Sequence, residues 1–108
     1  MIKINGKEYN LFYSVSCHIA FDAWVIKNPK ATYVEGVLKQ FTFMVAAYND
    51  AHGIEEQTPK VEDFMNLPNS VFLQIADAVE AQKKADSEVT VEAEPVKGKN
   101  AKSAGVSS

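Results

Sequence analysis

Cys17 and His18 are the first residues to suggest chemistry, because a thiol beside an imidazole is the raw material of an activated nucleophile. Their spacing defeats it. Adjacent positions on a helix point about 100° apart, so the two side chains cannot form a thiolate–imidazole pair. His18 and Asp22 stand at i, i+4 and share a helix face, which suits an acid–base pair in a deep pocket or an ordinary surface hydrogen bond. His52 falls at a helix C-terminus, where the dipole favours a cation and a structural role suffices. The two histidines lack metal-ligand spacing, and Cys17 lies on an apolar stripe, where thiols are usually inert packing. Acid pairs occur at Glu55-Glu56 and Glu62-Asp63. The first sits in a loop and the second opens a short helix, so nothing sets them across a cleft as a two-carboxylate hydrolase requires. Phosphate-binding glycine loops and GxSxG elbows are absent from the sequence. The expectation is a protein that is not an enzyme and needs no metal and no cofactor.

Composition narrows the class further. The 108 residues are one domain's worth of chain, with 11 lysines, no arginine and 14 acids for a net charge of −3. An acidic balance without arginine argues against a protein built to grip a phosphate backbone. Lys83-Lys84 and Lys97-Gly98-Lys99 are weak basic spots without interleaved aromatics, so no nucleic-acid partner is expected. A single cysteine makes neither an internal disulfide nor a multi-cysteine zinc site. No apolar run spans a bilayer and no leader pattern opens the chain, which predicts a soluble intracellular protein.

The composition changes near residue 82. All 11 aromatic residues lie in the first 72 positions, and from Gln82 onward there is no aromatic, Leu, Ile or Met. Such a stretch cannot bury enough apolar surface to offset the entropy of ordering it. The reading is a folded unit over 1–82 and a disordered tail or linker over 83–108. Within that tail Ser87–Glu92 alternates like a strand.

The elements that would position any functional residue are well signposted. Asn5-Gly6 supplies the two positive-φ residues of a type I′ turn between Ile2–Ile4 and Lys7–Leu11, placing Ile2, Ile4, Tyr9 and Leu11 on one face. A two-stranded ribbon is marginal alone, so that face must lie on helices. Ser14 or Ser16 caps a first helix that runs to about Lys27 and is stopped by Asn28-Pro29. Thr32-Tyr33-Val34-Glu35 is a capping box opening a helix from Tyr33 to about His52, with Gly53 as its left-handed terminator. Thr58-Pro59 opens a short helix to about Asn66, and Leu67-Pro68-Asn69 separates it from a last helix over about Asn69 to Lys84. The fold class is therefore α+β and mostly helical: an N-terminal β-hairpin packed on about four helices.

Periodicity then sorts the faces. Val34, Val37, Leu38, Phe41, Met44, Val45 and Tyr48 form the inward stripe of the second helix, with Glu35, Lys39, Thr42 and Asp50 opposite. Phe43 lies on that polar side, where it meets another element or awaits a partner. Val71, Phe72, Ile75, Ala76 and Val79 form the stripe of the last helix, and Leu73 falls outside it. The first helix is apolar on two sides, with Cys17, Phe21, Trp24 and Val25 on one and Ile19, Ala23 and Ile26 on the other. Such a helix is either central or shared with another chain. In a domain this small, covering both sides is difficult.

The order of an Ile-Asn-Gly-Lys-Glu-Tyr hairpin (Ile4–Tyr9), two helices through His52 and Thr-Pro-x-x-Glu-Asp (Thr58–Asp63) resembles the tail assembly chaperones of long-tailed bacteriophages. The resemblance covers about residues 1–82. It departs in the first helix, where the family often has a more charged Leu-Asp-Glu-like stretch and this chain has Phe21-Asp22-Ala23-Trp24-Val25-Ile26. The resemblance implies a binding protein of the host cytoplasm. It would coat the helical tape measure protein, keep it soluble and recruit tail tube subunits. It also implies that the tail is either the end of a short product or a linker into a longer, frameshifted one. Two other readings remain, a ring-forming structural phage subunit such as a connector or minor tail component, and a small acidic inhibitor of a host protein.

Surplus apolar surface on a small domain points to self-association or partner binding, and a helix-in-groove mode suits a helical client. The candidate partner-binding residues are Phe21, Trp24, Ile26, Phe43 and Leu73, with Trp24 the anchor by residue type. Phe43→Ser separates the two environments open to that ring. Thermal unfolding stays nearly unchanged if Phe43 faces a partner, whereas a loss of several kcal/mol places it in the core.

Overall fold

A computed structural model describes residues 1–88. Strands β1 (Ile2–Ile4) and β2 (Lys7–Tyr9) pair antiparallel, with Ile2 opposite Tyr9 and Ile4 opposite Lys7. Asn5 and Gly6 take φ of 50° and 81°, the two left-handed residues that this turn demands. Three helices follow: α1 (Val15–Lys27), α2 (Tyr33–Ala51) and α3 (Asn69–Ser87). The expected class, a hairpin on a mostly helical body, is the one observed.

Local chemistry sets the helix ends. The Ser14 hydroxyl accepts from the Cys17 N–H at 3.1 Å and starts α1. At its other end the Asn28 side-chain amide donates to the Trp24 carbonyl at 2.8 Å. The capping box of α2 is complete: Glu35 N–H donates to the Thr32 hydroxyl at 3.1 Å, and Thr32 N–H donates to the Glu35 carboxylate at 2.8 Å. Gly53, at φ 65°, turns the chain so that Ile54 N–H reaches the Asn49 carbonyl at 2.8 Å and Gly53 N–H reaches that of Asp50 at 3.4 Å. That pair of bonds is a Schellman motif, which an L side chain at position 53 would strain.

The core lies where α2 meets everything else. Phe41, Met44, Ile75 and Val79 are fully buried, joined by Ile2, Ile4, Leu11, Leu38, Val45 and Phe64. Helix α1 packs along one side of α2, and α3 packs along another while also covering β1. Tyr9, Phe41 and Phe64 meet edge-to-face, with centroids 5.5–6.2 Å apart.

Several details differ from expectation, among them Val34, which falls on the inward stripe by spacing yet is 42% exposed in the first turn of α2. The segment read as a short helix to Asn66 contains a single 3-10 turn over Val61–Phe64. Pro68 cannot donate to residue 64 and keeps Leu67 out of the α region, so there is no room for a longer helix. Thr42, read as facing solvent, is buried, and its hydroxyl is satisfied by donating to the Lys39 carbonyl at 2.8 Å. Helix α3 continues to Ser87, past its expected end near Lys84. Its final turn is tied down, because the Asp86 carboxylate accepts from the Tyr13 N–H at 2.8 Å and from the Gln82 amide at 3.1 Å. The tail expected from residue 83 is thus described only as far as Glu88. The rest of it, with most of the alternating Ser87–Glu92 stretch, lies outside the described residues.

The Asp86–Tyr13 bond makes the last turn of α3 part of the folded unit. Asp86→Ala is expected to lower stability in urea by about 1–2 kcal/mol, since it leaves a part-buried N–H unpaired. Faster hydrogen exchange at the Tyr13 amide is the residue-level check. Unchanged stability and exchange would place the end of the unit before residue 86.

Candidate functional site

Helix α1 is not central. It rests on α2 by one side, burying Cys17 and half-burying Ala20, Phe21 and Trp24. Its other side carries Val15, Ile19 and Ile26, which are 78%, 64% and 78% exposed. These three positions fall within one narrow stripe at helical spacing, so the described structure leaves a line of β-branched side chains uncovered. Of the two dispositions open to a doubly apolar helix, the central one does not hold.

The inner side of α1 borders a groove. Phe43 and Ala46 of α2 form its floor, Trp24 one wall, and Pro59, Val61 and Met65 the wall opposite. It encloses about 930 Å³, and a recess of about 450 Å³ continues it past Ser16, Cys17 and Ala20, sharing Phe43, Ala46 and Thr58. Lys27, Lys30, Lys39 and Lys60 line the wide end together with Glu35 and Glu62. Asp50 and Glu56 line the narrow end. The Lys39 ammonium sits 5.1 Å from the centre of the Phe43 ring, a cation–π contact at the groove floor.

The five candidate residues therefore separate. Phe21 and Trp24 stack with centroids 6.0 Å apart, and Trp24 joins Phe43 in the groove. Ile26 points the other way, on the outward stripe. Leu73 is 55% exposed on α3, and neither cleft that Phe43 lines includes it. Phe43 itself is half-buried and packed against the core, so its ring meets both protein and groove. The lysine rim was not anticipated from sequence. Its members come from the end of α1, the following turn, α2 and the segment before the 3-10 turn, and only the folded chain gathers them.

The residues with reactive groups make local contacts. His18 and Asp22 lie 3.5 Å apart as an exposed surface pair, and His18 stacks on Tyr13. His52 stacks on Tyr48, with its Nδ1 2.9 Å from the Tyr48 carbonyl at the end of α2. Burial pushes the Cys17 thiol above its ordinary value, and a hydrogen bond with the Ser14 backbone offsets only part of that rise. Burial likewise raises Tyr9 and Tyr13, with smaller contributions from Asp63 for the first and from Cys17 and Asp22 for the second. Among the described residues no three His, Cys, Asp or Glu side chains converge as a metal site, and no helix is long and apolar enough to cross a membrane.

No protein-family model, curated protein or solved structure matches the chain.

A thiol whose neutral form is favoured by folding reacts slowly. Cys17 in the folded chain should react with a disulfide reagent at pH 8 at least roughly tenfold more slowly than in urea. The unfolded chain loses this proton first, so the stabilising effect is intact below pH 9, the ordinary value for this thiol, and is lost as pH rises through the folded value. Equal rates in the two states would show that Cys17 is accessible.

Proposed function

We propose that this chain is a non-enzymatic tail assembly chaperone of a long-tailed bacteriophage. It binds the tape measure protein in the host cytoplasm and helps to recruit tail tube subunits. The reading rests on the order of the hairpin, the two helices and the Thr58–Asp63 segment. The observation that carries the binding role is the apolar surface α1 leaves uncovered on its outer side, in a domain whose core is already complete without it. A helical client with its own apolar stripe is the natural complement of such a surface. The groove on the inner side of α1 adds a further contact, this one concave, for the same kind of client.

A ring-forming structural subunit would also use the Val15, Ile19 and Ile26 stripe, by pairing it between copies. An acidic inhibitor finds less support, because such a protein gathers its carboxylates and here it is the lysines that gather.

Co-expression with the tape measure and tail tube proteins encoded near the gene tests the proposal. A chaperone keeps the tape measure soluble, co-purifies with it and is absent from finished particles. Tape measure that aggregates while this chain stays apart would overturn the reading. A stable closed ring retained in particles would put the structural subunit in its place.

A further inference from the structure

The domain is acidic, yet four of the six lysines among residues 1–81 line one groove. The two ion pairs among the described residues, His18–Asp22 and Glu80–Lys83, involve none of the four. Of the two carboxylates at that end of the groove, Glu35 is held in the capping box of α2. The same groove is lined by the apolar side chains of Trp24, Phe43 and Met65. The opposite end reverses sign, with Asp50 and Glu56. An apolar trough with charge of one sign at one end and the other sign at the other selects a ligand of matching polarity.

We propose that this groove docks an acidic amphipathic helix of a partner protein. The partner's carboxylates meet Lys27, Lys30, Lys39 and Lys60, and its apolar stripe lies on Phe43 and Trp24. The inference deepens the binding role proposed above and rests on it, by naming the surface and the chemistry of the segment it takes. The groove follows α1, whose 13 residues span about 20 Å, so it accommodates roughly three to four turns of helix. Apolar residues at i, i+3, i+4 and i+7 would fill the trough, with acidic residues concentrated at the Trp24 end. A second copy of this chain fits poorly as the occupant. The outward stripe of α1 offers one carboxylate, Asp22, against four lysines, and the outer face of α3, with Asp77 and Glu80, offers Leu73 as its only large exposed apolar residue, too little to fill the trough.

Trp24 is the only tryptophan in the chain and lines the groove, so its emission reports occupancy directly. The probe is a synthetic helical peptide of about 15 residues carrying a leucine stripe and glutamates in its first two turns, without aromatic residues and with a fluorescein label for anisotropy. The control peptide has lysine in place of each glutamate. With the full chain, the acidic peptide is expected to bind and shift Trp24 emission, and the basic peptide to bind more weakly. The triple variant Lys27→Glu, Lys30→Glu, Lys60→Glu should weaken the acidic peptide by roughly tenfold and favour the basic one. These three side chains are exposed, so the folded state should survive, which circular dichroism checks; the corresponding Lys→Gln variant serves if reversal impairs folding. Equal binding of the two peptides overturns the proposal, as does acidic-peptide binding that leaves Trp24 emission unmoved. The outcomes separate the two levels of inference. Peptide docking without rescue of the tape measure overturns the chaperone reading alone, and rescue of the tape measure by a chain whose groove ignores the acidic peptide overturns the groove alone.

Discussion

Three rings, Tyr9, Phe41 and Phe64, meet edge-to-face on one side of α2, and the rest of the domain is arranged around that contact. A two-stranded hairpin does not hold its shape in water, and a lone 3-10 turn holds it even less. Each delivers one ring to Phe41, which is fully buried, and the hairpin adds Ile2 and Ile4 beneath α3. The positioning has an outward consequence. Anchoring Phe64 draws the chain from Ile54 to Met65 alongside α2, opposite α1. That placement creates the second wall of the groove, so the binding surface is a by-product of how the core closes.

Helix α1 has a looser bond to the fold than α2 or α3. It contributes Cys17 as its only buried residue and otherwise lies on α2 through half-buried side chains. Its outer stripe adds nothing to the core. A helix can carry this much exposed apolar surface when its inner face, caps and connections hold it in place, and Ser14 and Asn28 do that at its two ends. Charge is distributed with the same economy. Most acids are spread over the surface, while four lysines concentrate around the groove that Trp24 and Phe43 line.

Much of the fold was legible because its signals are local. Asn5-Gly6 admits few conformations other than a tight hairpin turn, and it dictates the register that follows. Thr32 and Glu35 define a helix start by satisfying each other's backbone N–H groups, and Gly53 defines a stop by its left-handed φ. The features that differ from expectation depend on which faces the fold covers or on local signals that compete. The periodicity of α1 assigns residues to faces but does not say which face the fold will cover. Thr42 looks polar in sequence, yet its hydroxyl is spent on the Lys39 carbonyl, which lets it face inward. The turn at Val61–Phe64 is short because Pro68 limits it and Phe64 is already anchored. Lys27, Lys30, Lys39 and Lys60 show no motif at all, since 33 positions separate the first from the last. Of the site, the aromatic contribution of Trp24 and Phe43 was visible, and the electrostatic half was not.

The first strand and the last helix touch, and the Asp86 carboxylate holds the Tyr13 amide across 73 positions of sequence. Synthesis runs from one end to the other, so the β-hairpin leaves the ribosome long before the helix that covers it. Throughout that interval the face formed by Ile2 and Ile4 has nothing from α3 to lie against. Contacts of such long sequence separation form late, after most of the chain has been ordered. The nascent chain therefore has its own period of exposed apolar surface, which closes when the last turn of α3 arrives and the two ends of the fold are fastened together.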